Sequence, residues 1–195
     1  MMKKLLLLFI VFTACKKEVH YYPSKKYFIE KDLQELNIDN LIFEQITDSI
    51  RSGLSNNRNL FINIEDTKGI YKIAPFVVTG GYFREKNILY IINDSIDLAI
   101  GRFSMQELSK YIKLHYENNG ENYLLASSYK KAQVQLVLSN KEKPKKLKAI
   151  LLNLMKTYNN TDIKNKDSIA MHIVFDYPIN RQQYIPPRPN NLKNN

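Results

Sequence analysis

The sequence predicts an α+β fold: a mixed β-sheet of about five strands packed with two to three helices in a single domain. Three observations lead there. The chain has 195 residues, a length that suits one domain with appendages. It is 44% hydrophobic and 25% charged, which supplies enough apolar surface for a packed core. Segments whose apolar residues alternate are interleaved with segments whose apolar residues return every three to four positions, so strands and helices mix along the chain.

The elements follow in order. Ile42, Phe43, Ile46 and Ile50 recur at helical spacing, so a helix is expected from about Asn40 to Ser52, opened by Asp39 or Asn40 and closed by Gly53. Leu60, Ile62 and Ile64 then alternate up to Asp66-Thr67-Lys68-Gly69 and the pattern resumes beyond, which predicts a hairpin. After Gly80-Gly81, "NILYIIN" from Asn87 to Asn93 reads as a third strand. Ser104 with Glu107 three residues on predicts a capping box for a helix whose inward stripe is Met105, Leu108, Ile112 and His115. "AQVQLVLS" (Ala132 to Ser139) alternates as a strand. Pro144 suits a helical first turn, and Leu147, Ile150, Leu151, Leu154 and Tyr158 give that helix a continuous apolar face. A last strand is expected from Ser168 to Asp176, with Ile169, Met171, Ile173 and Phe175 on one side.

The N-terminus reads as an address. Met1-Met2-Lys3-Lys4 is followed by eight apolar residues, Leu5 to Phe12, which is short of the ~20 needed to span a bilayer and suits a signal peptide. The next residues are Thr13-Ala14 and then Cys15, the only cysteine. Phe12-Thr13-Ala14-Cys15 resembles the lipobox of bacterial lipoproteins, with Phe12 where Leu is usual. That resemblance implies cleavage before Cys15 and a diacylglycerol thioether on its sulfur. Lys16, where Asp commonly holds lipoproteins at the inner membrane, favours the outer membrane. The expected division is therefore residues 1–14 as signal peptide, 15–31 as a lipidated tether, 32–177 as the globular domain and 178–195 as an extended tail rich in Pro and Asn. Net charge is +10 over the chain and +8 once Lys3 and Lys4 are removed, a mild field that favours anionic surfaces.

From Leu60 onward the element order also resembles the periplasmic domain of the ExbD/TolR family, carried by "INIEDTKGIYKI", "SMQELSKYIKLH", "QLVLSNKEKP", "KKLKAILLNLMKTY" and "IAMHIVFD". The resemblance implies a related sheet with two helices. The chain departs from it in the long segment between Phe76 and Phe103, and no residue role is carried over.

The residues that carry chemistry are few. His20, His115 and His172 stand in no metal-ligand spacing, and His115 on an apolar stripe reads as a core histidine. No GxSxG or SxxK motif marks a nucleophile, so no catalytic residue, metal or cofactor is assigned. Glu65/Asp66 and Asp94/Asp97 stand at strand ends, where a carboxylate-dependent hydrolase would keep its acids and where ordinary turns also use Asp. Lys141, Lys143, Lys145, Lys146 and Lys148 crowd a helix start, where free N–H groups already favour anions, and form the candidate anion-binding site. The expected role is a non-enzymatic binding or scaffold module. Its expected partners are the membrane, through Cys15, and a protein or envelope polymer, with nucleic acid not expected. The alternatives are the hydrolase and the lysine-based anion-binding module.

Overall fold

Alternating apolar residues pair the strands into two mixed sheets rather than one, and the fold is α+β. The computed structural model describes residues 17–78 and 84–176. The first half runs β1 (Glu18–Tyr22), α1 (Lys25–Glu30), β2 (Leu33–Glu35), α2 (Phe43–Ser55), β3 (Asn59–Glu65), β4 (Gly69–Ile73) and β5 (Phe76–Val77). The second runs β6 (Ile88–Ile92), β7 (Ser95–Leu98), β8 (Gly101–Ser104), α3 (Leu108–Glu117), β9 (Gln133–Val137), α4 (Pro144–Asn160) and β10 (His172–Asp176). A four-stranded sheet has the order β1-β4-β3-β2, and a six-stranded sheet the order β5-β10-β9-β6-β7-β8.

In the six-stranded sheet β5, β10, β9 and β6 are parallel, and β7 and β8 continue it as an antiparallel meander. The central strand β9 buries Val134, Gln135, Leu136 and Val137, as a parallel strand covered on both faces does. The pieces that resemble the ExbD/TolR domain are divided between the two sheets, β3 and β4 in one and β9 and β10 in the other. One continuous core joins them, containing Ile62, Ile64 and Ile73 from the smaller sheet, Leu89, Val134 and Ile173 from the larger, and helix residues such as Phe43, Ile112 and Leu151.

The helices follow their stripes with small shifts. α2 begins at Phe43 because the carbonyls of Glu142 and Asn140 accept from the Phe43 and Glu44 N–H groups (2.9 and 3.0 Å), while Gln45 reaches back to Ile42 N. Neither Asp39 nor Asn40 caps it. The expected capping box before α3 does not close either. Ser104 Oγ accepts from Gln106 N in a 3₁₀ turn (3.2 Å), and Glu107 faces Lys110 at 3.5 Å. α4 starts with Pro144 in its first turn, as expected. Four strands were not expected: β1, β2, β7 and β8. The last two are joined to β6 by tight turns, the first of them at Asn93-Asp94 with Asn93 at φ 54°. β5 is two residues long, too short for an alternation to show.

The segment expected to be a tether needs correction. Of residues 15–31, those described belong to the fold. β1 lies parallel to β4 in a five-residue register from Glu18↔Gly69 to Tyr22↔Ile73, and α1 packs Phe28 against Tyr21 and Phe61 (5.1 and 5.5 Å between ring centroids). Charge and Pro23 made the stretch read as spacer. What holds it is aromatic burial and the bare backbone of Gly69, where a Cβ would come within 3.1 Å of Glu18 O. The folded domain thus begins by Glu18 rather than at residue 32. The expected signal peptide (1–14) and tail (178–195) lie outside the described residues.

Tyr22 gives this a test. It is 3% exposed, meets Tyr158 edge-on at 6.3 Å, and donates its hydroxyl to Asn159 Oδ1 at 2.7 Å. Tyr22→Ala is expected to lower unfolding free energy by about 3–5 kcal/mol, measured by urea denaturation. A residue in a solvated spacer would leave it unchanged.

Candidate functional site

The end of α4 lies against the inner face of the four-stranded sheet, and the space between them is the site. Alternation on β1 sends His20 and Tyr22 to that face, and β4 sends Tyr71 and Ile73 there in register beside them. Tyr22 closes the bottom of the contact through Tyr158 and Asn159. Above it, Glu18, His20, Lys68, Tyr71, Lys156, Asn159, Asn160 and Lys166 line a cleft of about 480 Å³. A shallower groove of about 340 Å³ shares His20, Asn159 and Lys166 with it and runs along β1 toward Lys25.

Three polar features shape the cleft. First, the His20 ring stacks on the Tyr71 ring at 5.1 Å with 22° between planes, which fixes the histidine against the wall. Second, Asp66 Oδ1 accepts from both Lys68 N and Gly69 N at 2.8 Å, closing the β3–β4 turn, while Oδ2 faces Lys156 Nζ at 2.5 Å. The Lys156 ammonium, together with the two turn amides, holds the Asp66 carboxyl well below its usual range, at about 2. Asp66 in turn raises Lys156. The pair ties the hairpin to α4 and keeps the carboxylate ionised, which disqualifies it as a general acid at neutral pH.

Third, Lys166 Nζ donates to Asn159 O at 2.8 Å and to Thr161 O at 2.6 Å, and stands 5.4 Å from the Tyr158 ring. It caps the free carbonyls of the α4 C-terminus, where a cation is favoured. Burial lowers its pKa, and among the described residues it forms no ion pair. The tyrosines beneath are held protonated by burial, with Tyr158 pushed up to about 12 and Tyr22 raised further. The arrangement therefore offers N–H donors and positive charge to a polar ligand.

The sequence-predicted site residues are elsewhere. Lys141 and Lys143 stand at the opposite end of α4, in the loop whose Asn140 and Glu142 carbonyls cap α2, and Lys145, Lys146 and Lys148 stand in the first turns of α4 itself. Lys146 pairs with Glu142 at 3.3 Å and Lys148 pairs with Asp39, so two of the five are already neutralised. Asp39 also lines the shallow depression of about 400 Å³ beside Lys143, Lys145 and Lys148, putting a carboxylate where an anion would sit. Lys141, Lys143 and Lys145 make no ion pair among the described residues. Cys15 lies outside those residues.

The candidate acids occupy structural positions. Glu65 pairs with Lys17 at 2.5 Å, Asp66 closes its turn, and Asp97 meets Arg102 across the β7–β8 pair at 3.2 Å. Asp94 stands in the turn between β6 and β7. The two acid pairs belong to different sheets. Among the described residues no group of three His, Cys, Asp or Glu side chains stands ready for a metal ion. Sequence reasoning missed the cleft because its walls come from residues 18–20, 68–71 and 156–166, which no local spacing connects.

His115 is fully buried, its Nε2 donating to Asn87 O at 3.2 Å, as expected of a core histidine. Burial lowers its pKa from 6.5 to about 4. Between those values the unfolded chain binds a proton that the folded chain refuses. Stability attributed to this residue is therefore complete above pH 6.5 and falls by roughly 3 kcal/mol as pH drops to about 4. His115→Gln is expected to flatten that limb in urea-unfolding series across the range, whatever its absolute stability. An unchanged slope would contradict the assignment. Compared with protein-family models, curated proteins and solved structures, the chain gives no match.

Proposed function

We propose that this chain is a membrane-anchored envelope lipoprotein whose domain is a non-enzymatic binding module, held by lipid on Cys15. The observation that carries the binding half is the cleft between β1, β4 and α4. Lys68, Lys166 and the Asn159 and Asn160 side chains stand at a concave surface, Asp66 beside them is consumed by its turn and by Lys156, and Glu18 is turned to solvent at the rim. A hydrolase would need an acid and a base facing one reacting atom. Here Asp66 is locked as a carboxylate, and Glu65 and Asp97 are ion-paired. The anchoring half rests on Phe12-Thr13-Ala14-Cys15 and the apolar run before it. No described helix is long and apolar enough to cross a membrane. Two or three acyl chains, at about 0.8 kcal/mol per buried methylene, would hold the domain essentially permanently.

The anion-binding reading moves with the geometry, from the lysines at the α4 N-terminus to those at its C-terminus. Around Lys141 to Lys148 the depression is shallow and partly filled by Asp39, whereas Lys68 and Lys166 line one cleft whose third lysine, Lys156, is paired with Asp66.

Cys15→Ser is expected to abolish incorporation of radiolabelled palmitate and to shift the protein from the membrane pellet to the soluble or signal-retaining fraction of fractionated cells. Palmitate incorporation that survives the substitution would overturn the anchoring half. Salt-sensitive binding of an anionic ligand that is lost in Lys68→Glu but kept in Lys145→Glu supports the cleft; the reverse pattern would return the site to the α4 N-terminus.

A further inference from the structure

The position of β1 decides what the cleft meets. Lys17 is the first described residue and Glu18 opens β1, already opposite Gly69 of β4. Cys15 precedes Lys17 by two residues, a reach of at most about 7 Å, and precedes Glu18 by three, at most about 11 Å. A lipid on that sulfur leaves no length for a spacer. The edge of the fold formed by the start of β1 and the β3–β4 turn must then stand at headgroup level. Glu18 and Lys68 are both on that edge, and both line the cleft.

Charge at this edge is mixed: Lys17, Lys68 and Lys156 stand against Glu18, Glu65 and Asp66, Lys16 in the sequence adds one more cation, and Lys166, further along the cleft, has Asp162 and Asp167 near it. Lys17 and Lys156 are spent on Glu65 and Asp66. Lys68, exposed at the turn, and Lys166, pinned by two carbonyls, remain as donors facing the cleft from opposite walls. Glu18 is turned to solvent at the rim with its side chain 78% exposed, 3.7 Å from the His20 ring. The other end of α4 is about 24 Å away along a seventeen-residue helix, beyond the screening distance of an interfacial charge.

We infer that the cleft rests against the membrane that holds Cys15 and takes the phosphate of an anionic lipid headgroup between Lys68 and Lys166. This rests on the lipoprotein reading of Cys15. Anchor and headgroup would together fix the orientation of the domain, leaving the α4 N-terminus and the six-stranded sheet for other partners. The source of the phosphate is a lipid rather than a free ion, because the covalent reach brings the bilayer to the cleft mouth.

The test uses the full-length protein extracted from membranes. Cys15 is the only cysteine, so an acylated Cys15 leaves a cysteine introduced by Thr67→Cys or Lys145→Cys as the single thiol for a nitroxide label. Each labelled protein is reconstituted into phosphatidylcholine vesicles with and without phosphatidylglycerol. The Thr67 label is expected to be shielded from a water-soluble relaxation agent and the Lys145 label to stay accessible. Phosphatidylglycerol should deepen the shielding at Thr67. Adding Lys68→Gln should cancel about a fivefold share of that effect, the contribution of one lysine at an anionic surface. Equal accessibility at the two positions would overturn the orientation. No response to phosphatidylglycerol, or the same response to inorganic phosphate alone, would overturn the headgroup assignment. Labelling at Cys15 itself in the unsubstituted protein would instead overturn the anchor, a result distinguishable from the other two.

Discussion

Everything about this molecule's placement depends on one strand being pinned at the chain's first described residues. β1 adds to β4 in parallel, and a parallel partner cannot arrive by a tight turn. It has to be brought from elsewhere in the chain and held by what it buries. Tyr22 does the holding, wedged onto Tyr158 with its hydroxyl on Asn159, while Gly69 lets the β1 backbone approach the turn. The same contacts bind α4 to the smaller sheet, so the pinned strand, the seat of α4 and the cleft share one cause. Tyr158 also meets Tyr116 of α3 at 5.9 Å, which passes the contact on to the larger half of the core.

That arrangement explains the division of labour among the lysines. At its N-terminal end α4 begins with Pro144 and a loop whose carbonyls cap α2, so the lysines there radiate from a segment that is busy with backbone work. Lys146 and Lys148 are drawn to Glu142 and Asp39. At its C-terminal end α4 has free carbonyls and a wall of sheet opposite. Lys166 satisfies the carbonyls and Lys156 crosses to Asp66. A helix C-terminus on its own repels anions. Lys166 covers it with a positive charge, with Asp162 and Asp167 near by.

The sequence made some of this legible. The stripes of α2, α3 and α4, the Asp66–Gly69 turn and the strands β3, β4, β6, β9 and β10 follow from periodicity, because each buries one face against a large core. β7 and β8 carried a usable signal in Asn93-Asp94, a pair suited to a tight hairpin, but their alternation is short. β1 was hidden because its composition, Lys and Glu around His and Tyr, resembles a solvated linker when no partner strand is in view. The cleft was less legible still. His20, Lys68, Lys156 and Lys166 are separated by tens of residues, and only the parallel pairing of β1 with β4 brings them to one place. The lysine run at 141–148 was the louder signal and the poorer site, since density of charge in sequence carries no information about walls.

The central claim is that the fold begins by Glu18, where β1 joins β4. Hydrogen exchange on the full-length protein, read at the amides of residues 18–22 against those of 69–73, tests it most directly. Slow exchange in β1, within the range of β4, is the result this account predicts. Exchange in 18–22 at the rate of an unstructured peptide, with β4 protected, would contradict it and restore the tether.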